Sequence, residues 1–151
     1  MNTTQPRKLS LSVQYAVEPT KVATLPTRPQ FRRWAQAALR RDAEITLRLV
    51  DEAEGQRLNR DYRGKDYATN VLTFTYEESP LSGDIVLCAP VIAREAAAQQ
   101  KKLLAHYAHL VVHGVLHLQG YDHEKIKDAR QMEQLEAEIL TKMGYDDPYR
   151  A

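Results

Sequence analysis

Apolar and polar residues alternate from Leu9 to Val17, with Leu9, Leu11, Val13, Tyr15 and Val17 in phase, the period of a half-buried strand. Beyond the proline-rich stretch from Pro26 to Pro29, the period changes: Phe31, Trp34, Ala38 and Leu39 recur at helical spacing. Ile45, Leu47 and Leu49 predict a second strand. Asp51 to Asn59 reads as a helix with Arg57 and Arg60 on it, and Asp61 to Thr69 as a charged loop carrying Arg63, Gly64 and Lys65. Asn70 to Tyr76, rich in β-branched and aromatic residues, predicts a third strand. Gly83 is expected to turn the chain into a fourth, Asp84 to Cys88. Pro90 suits the first turn of a helix reaching about Gln100, and a second helix is predicted from about Leu103 to Leu118. Ile126, Ala129, Met132, Leu135, Ile139 and Met143 mark a last helix from Lys125 to Met143, ended by Gly144. This order predicts a single domain over residues 1–151, of α/β (α+β) class, with a mixed sheet of four or slightly more strands covered by helices.

Composition narrows the function. At 151 residues, 43% hydrophobic and 27% charged, the chain has the make-up of one globular domain. No apolar run reaches membrane-spanning length, and the polar start from Met1 to Lys8 lacks the core of a signal peptide, so a cytoplasmic protein is expected. The one cysteine, Cys88, ends the apolar run Ile85-Val86-Leu87 and reads as a buried structural thiol. A net charge of +1 gives no global pull toward nucleic acid. Residues 1–105 nevertheless carry 16 Lys and Arg against 12 Asp and Glu, while residues 106–151 carry 5 against 8, so a local basic surface falls in the first two-thirds.

The chemistry is concentrated in His113-Gly114-Val115-Leu116-His117-Leu118-Gln119-Gly120-Tyr121-Asp122-His123. Four helical residues advance about 400°, so His117 lies about 40° around and about 6 Å along from His113, on the same face. Gly120 can take the left-handed conformation that ends a helix, after which the chain turns back and can bring His123 in as a third ligand. The zinc-peptidase pattern H-E-x-x-H-x-x-G-x-x-H is matched at every histidine and at the glycine, but Gly114 stands where the glutamate belongs. One zinc ion per chain on His113, His117 and His123 is expected, in a zinc-hydrolase-like site with its fourth position open for water. Without that glutamate the peptidase mechanism lacks its base. Three neutral histidines also leave the ion's charge uncompensated, which suits an anionic substrate such as a phosphodiester. His106 and His109 extend the stripe and are assigned a supporting or surface role.

Together with Leu58-Asn59-Arg60-Asp61-Tyr62-Arg63-Gly64-Lys65-Asp66, Thr69-Asn70-Val71-Leu72 and Gly83-Asp84-Ile85-Val86, this histidine segment resembles the YbeY family of endoribonucleases, bacterial rRNA maturation factors. The resemblance runs from about Val13 to Tyr149. It implies that the three histidines carry zinc and that Arg63 is the family's essential arginine. The implied activity is metal-dependent cleavage of single-stranded RNA in 16S rRNA 3′-end maturation and ribosome quality control, with rRNA and the ribosome or small-subunit proteins as partners and neither DNA nor membrane involved. Thr73-Phe74-Thr75 departs from the family's usual Ser-Phe-Pro; Val115 and Gln119 are further departures that touch no proposed ligand.

Arg63 and Lys65 flank Gly64, an arrangement that lets a loop approach phosphate closely, and only arginine offers a planar fork to phosphate oxygens. Arg57 and Arg60 extend this basic track, whereas Arg32, Arg33, Arg40 and Arg41 read as a solvated helix face. Tyr62, Tyr67 and Tyr121 are packing residues or base-stacking platforms. Asp84 or Asp122 is positioned to orient a histidine or to cap a turn. Glu133, Glu136 and Glu138 read as the solvated face of the last helix. Two rivals remain: a zinc peptidase-like hydrolase, opposed by Gly114, and a non-catalytic zinc-containing ribosome-assembly factor, which needs a fourth protein ligand that only His109 is near enough to supply.

Overall fold

The computed structural model describes residues 7–18, 24–121 and 126–150, and its first alternating stretch is strand β1 (Leu9–Ala16). Helix α1 (Arg28–Ala38) begins at a capping box: the Thr27 hydroxyl accepts from the Gln30 backbone N–H while the Gln30 side chain accepts from that of Thr27. Its buried face is Phe31, Trp34, Ala35 and Ala38. Strand β2 (Ala43–Val50) leads to Asp51, whose carboxylate accepts from the Glu54 N–H at 2.9 Å and caps helix α2 (Glu52–Arg63). This helix passes the expected end at Asn59. Nothing at Asn59 breaks it, since that side chain is buried and donates to the Tyr67 carbonyl at 2.7 Å. The stop is Gly64, left-handed at φ +72°, whose N–H returns to the Arg60 carbonyl. Arg63 therefore belongs to the last helical turn rather than to a loop.

Strands β3 (Val71–Glu78) and β4 (Leu81–Cys88) form an antiparallel pair connected through Ser79 and Pro80. The turn thus precedes Gly83, which lies inside β4 opposite Thr75. Glycine is needed there for closeness: a Cβ would sit 2.6 Å from the Phe74 carbonyl oxygen and 2.8 Å from Leu118 Cδ2. Helix α3 (Ala89–Ala98) and helix α4 (Leu103–Leu118) are separate, with Gln100 at φ +56° between them, and helix α5 (Ile126–Lys142) follows.

The sheet order is β1-β2-β4-β3, the first three parallel and β3 antiparallel at the edge, as the mixed four-stranded expectation requires. Register aligns Val13, Leu47, Ile85 and Thr73 in one cross-strand row. Because side chains alternate across a strand, the row shares a face with Ile45, Leu49 and Leu87, and that face packs into the same core as Val111, Val112, Val115 and Leu116 of α4. On the opposite face Val50, Leu72, Val86 and Cys88 form a smaller core with Leu58 of α2 and Phe74. Among the described residues no helix is long and apolar enough to cross a membrane.

Candidate metal centre

Helix α4 carries the chemistry because it is held on several sides: it contacts α1, α3, α5, β3 and β4. An apolar helix so enclosed is rigid, and it projects His113 and His117 from one face. Their rings lie nearly parallel, 26° apart, with centroids 6.4 Å apart. His117 Nδ1 is 2.9 Å from the hydroxyl of Thr73, the edge-strand member of the row beneath the helix. His113 Nδ1 is 2.8 Å from a carboxylate oxygen of Glu136 on α5. The helix ends as expected: Gly120 is left-handed at φ +99°, and the Tyr121 N–H closes on the Leu116 carbonyl at 3.2 Å. His123, with Asp122, lies outside the described residues. Two of the three expected ligands are therefore side by side, and among the described residues no group of three His, Cys, Asp or Glu is arranged to hold a metal.

Glu136 overturns the expectation of a solvated face: it is fully buried. One carboxylate oxygen faces His113; the other faces His109 Nε2 at 2.8 Å and accepts from the Tyr149 hydroxyl. Burial by itself raises its pKa, but hydrogen bonds from His109 and His113, the charge of His113 and the Tyr149 hydroxyl outweigh it and bring it down to about 2. The stripe Met132, Glu136, Ile139, Leu140 lies on one buried side of α5, so a lone carboxylate on an apolar face was the signal available for it. His109 has its Nε2 between Glu136 and Tyr149, while its buried Nδ1 has no hydrogen-bond partner among the described residues. His106 is buried too, with Nε2 2.9 Å from Glu95, which also accepts from Asn70. Both outer histidines are thus engaged by carboxylates, His109 by Glu136 and His106 by Glu95.

Gly114 faces the sheet. A Cβ at this position would meet Ile85 Cδ1 and Cγ2 at 3.2 Å, so the helix sits too close to β4 for a glutamate there. Arg63 is exposed at the end of α2, and its guanidinium makes no ion pair among the described residues. Arg57, Arg60 and Lys65 are exposed beside it, with Arg60 3.4 Å from Asp61. Tyr62 stands edge-on to Phe74 at 5.1 Å and remains exposed, as do Tyr67 and Tyr76; Tyr121 instead packs against the main core. Asp84 accepts from the Tyr76 hydroxyl at 2.6 Å, a bond that pushes the tyrosine's pKa up to about 12, and so is committed away from the histidines. Arg32 and Arg33 donate to the carbonyls of Leu9 and Met143, tying α1 to its neighbours rather than only facing water. Cys88 is buried, as expected, and burial pushes its thiol up to about 11.

Residues 15–144 match the family described as endoribonuclease YbeY. A protein of that name from Aromatoleum aromaticum is 63% identical over 94% of this chain and 93% of its own length. One from Methylobacillus flagellatus is 61% identical over 94% of each. A Thermotoga maritima protein of known solution structure superimposes with a TM-score of 0.55 at 25% identity, covering 93% of this chain and 99% of its own.

Proposed function

Since the chain belongs to the endoribonuclease YbeY family, we propose that it is a zinc-dependent endoribonuclease of the cytoplasm that cuts single-stranded RNA. Its place would be 16S rRNA 3′-end maturation and ribosome quality control, with the ribosome or small-subunit proteins as partners. The observation that carries the metal half of this reading is the pair His113 and His117, each with Nδ1 held by a neighbour, so that Nε2 is the nitrogen suited to ligation. With His123, which lies outside the described residues, as the third donor, the set would make a three-histidine zinc site. When bound, zinc would polarise a phosphate and lower the pKa of water toward neutrality. The chain's own residues do the rest. Thr73 and Glu136 hold the imidazoles in orientation. Arg63, exposed and without an ion-pair partner among the described residues, is available to a phosphate and would stabilise charge developing on it. His109, engaged by Glu136 and Tyr149, supports a site completed by three protein ligands rather than four.

The test offers single-stranded RNA and an unstructured protein to the zinc-loaded enzyme, beside His117→Ala. RNA should be cut, the protein left whole, and the variant should lose both stoichiometric zinc and cleavage. One tight zinc retained by His117→Ala, or proteolysis without RNA cleavage, overturns the reading.

A further inference from the structure

We infer that Glu136 is the positioning residue of the proposed metal site, selecting the His113 tautomer whose Nε2 can take a metal. The inference rests on the zinc reading above and says how one of its ligands is prepared. An ionised carboxylate can only accept, so the 2.8 Å contact places the His113 proton on Nδ1. In a neutral ring the lone pair then resides on Nε2, across the ring from Glu136. A charge with no solvent exposure is costly to bury, and an apolar residue at this point of the α5 stripe would avoid the cost. The carboxylate is instead fully satisfied by donors from two other segments: His109 and His113 of α4, and Tyr149 of the C-terminal stretch.

That arrangement makes the effect of Glu136→Gln specific. Three donors share two carboxylate oxygens, but the amide has only one oxygen. His109 and Tyr149 already converge on the same atom, Oε1, so the variant's oxygen stays with them and its NH2 turns to His113. An NH2 facing Nδ1 favours the opposite tautomer, with the proton on Nε2. Tyr149→Phe removes one donor from Oε1 and leaves the oxygen facing His113 in place.

The experiment uses two-bond ¹H–¹⁵N spectra of the metal-free, full-length protein at a pH where imidazoles are neutral, together with zinc affinity by chelator competition and thermal melting. Wild type should show His113 protonated on Nδ1. Glu136→Gln should shift it toward Nε2–H and weaken zinc by about 10–100-fold, while Tyr149→Phe changes melting and leaves the His113 tautomer alone. A wild type protonated on Nε2 overturns the inference even if Glu136→Gln does not fold. Tight zinc in wild type with equal affinity in a folded Glu136→Gln overturns it while leaving the zinc reading intact. A wild type that takes up no zinc, its His113 still protonated on Nδ1, overturns the zinc reading and the positioning role with it.

Discussion

Gly83→Ala tests the packing that brings α4 down onto β3. The added methyl would lie 2.6 Å from the Phe74 carbonyl oxygen and 2.8 Å from Leu118 Cδ2, both closer than nonbonded carbon contacts allow. Leu118 is a side-chain tip and can rotate. The carbonyl is backbone in the neighbouring strand, so relief requires β3 to move away from β4. Overpacking costs about 1–3 kcal/mol, and an immovable neighbour puts this case near the top. Against it stands a gain of about 0.4–1 kcal/mol from the stiffer unfolded chain. The net loss is about 2 kcal/mol, which at this size lowers Tm by about 4–8 °C. Gly114→Ala is the internal comparison. Its methyl would meet Ile85 side-chain carbons at 3.2 Å, a contact those atoms can ease, and alanine favours the helix by about 1 kcal/mol. It should stay within about 1 kcal/mol of wild type. Thermal melting of the metal-free proteins, followed by circular dichroism, decides. If Gly83→Ala melts with wild type, or if Gly114→Ala is the more damaged, the close approach at Gly83 is not what holds β3 in place.

Arg63→Ala should lower RNA cleavage by about 10²–10³-fold, with zinc content and melting unchanged, and Arg63→Lys should restore only part, because a point charge lacks the fork. Near-wild-type turnover of the alanine variant would remove Arg63 from the chemistry. Burial holds the His106 pKa below its ordinary 6.5, the Glu95 hydrogen bond only partly opposing it, so the unfolded chain binds the proton first as pH falls. The contribution of this neutral histidine is complete above pH 6.5 and declines below it, down to the native pKa. Urea midpoints from pH 8 to 5 should fall more steeply for wild type than for His106→Asn; parallel curves would refute the assignment.

The parts of the fold that sequence periodicity reached are those set within one element. Leu9 to Ala16 and Ala43 to Val50 alternate because each faces a core on one side, and they pair in parallel over their whole length. Helix α2 runs past the expected Asn59 because the charged residues after it read as a loop, whereas the Asn59 amide is spent on the Tyr67 carbonyl and the helix continues to Gly64, which takes a left-handed φ. Glycine serves turns and close contacts alike, so in the sequence Gly83 suggests a turn. The Phe74 carbonyl of the paired strand and Leu118, thirty-five residues later, tell the two apart.

The site divides in the same way. His113 and His117 share a face by helical arithmetic alone, and the 6.4 Å ring separation follows from it. Thr73 and Glu136 could not be reached that way, since their approach depends on the sheet register and on the rotation of α5 against α4. Gly114 joins the two levels. Read as a gap in the peptidase pattern, it says only that a carboxylate is missing. In the fold it lies against Ile85, whose side chain a Cβ would meet at 3.2 Å, leaving no room for a carboxylate at that position on the helix. A carboxylate arrives nonetheless, from α5, on the Nδ1 side of His113. From there it lies across the imidazole from Nε2, so it can orient the ring but does not occupy the side on which a metal and its substrate would bind. A glutamate behind the histidine rather than beside it is what the proposed site needs, in which catalysis would fall to the metal and to Arg63.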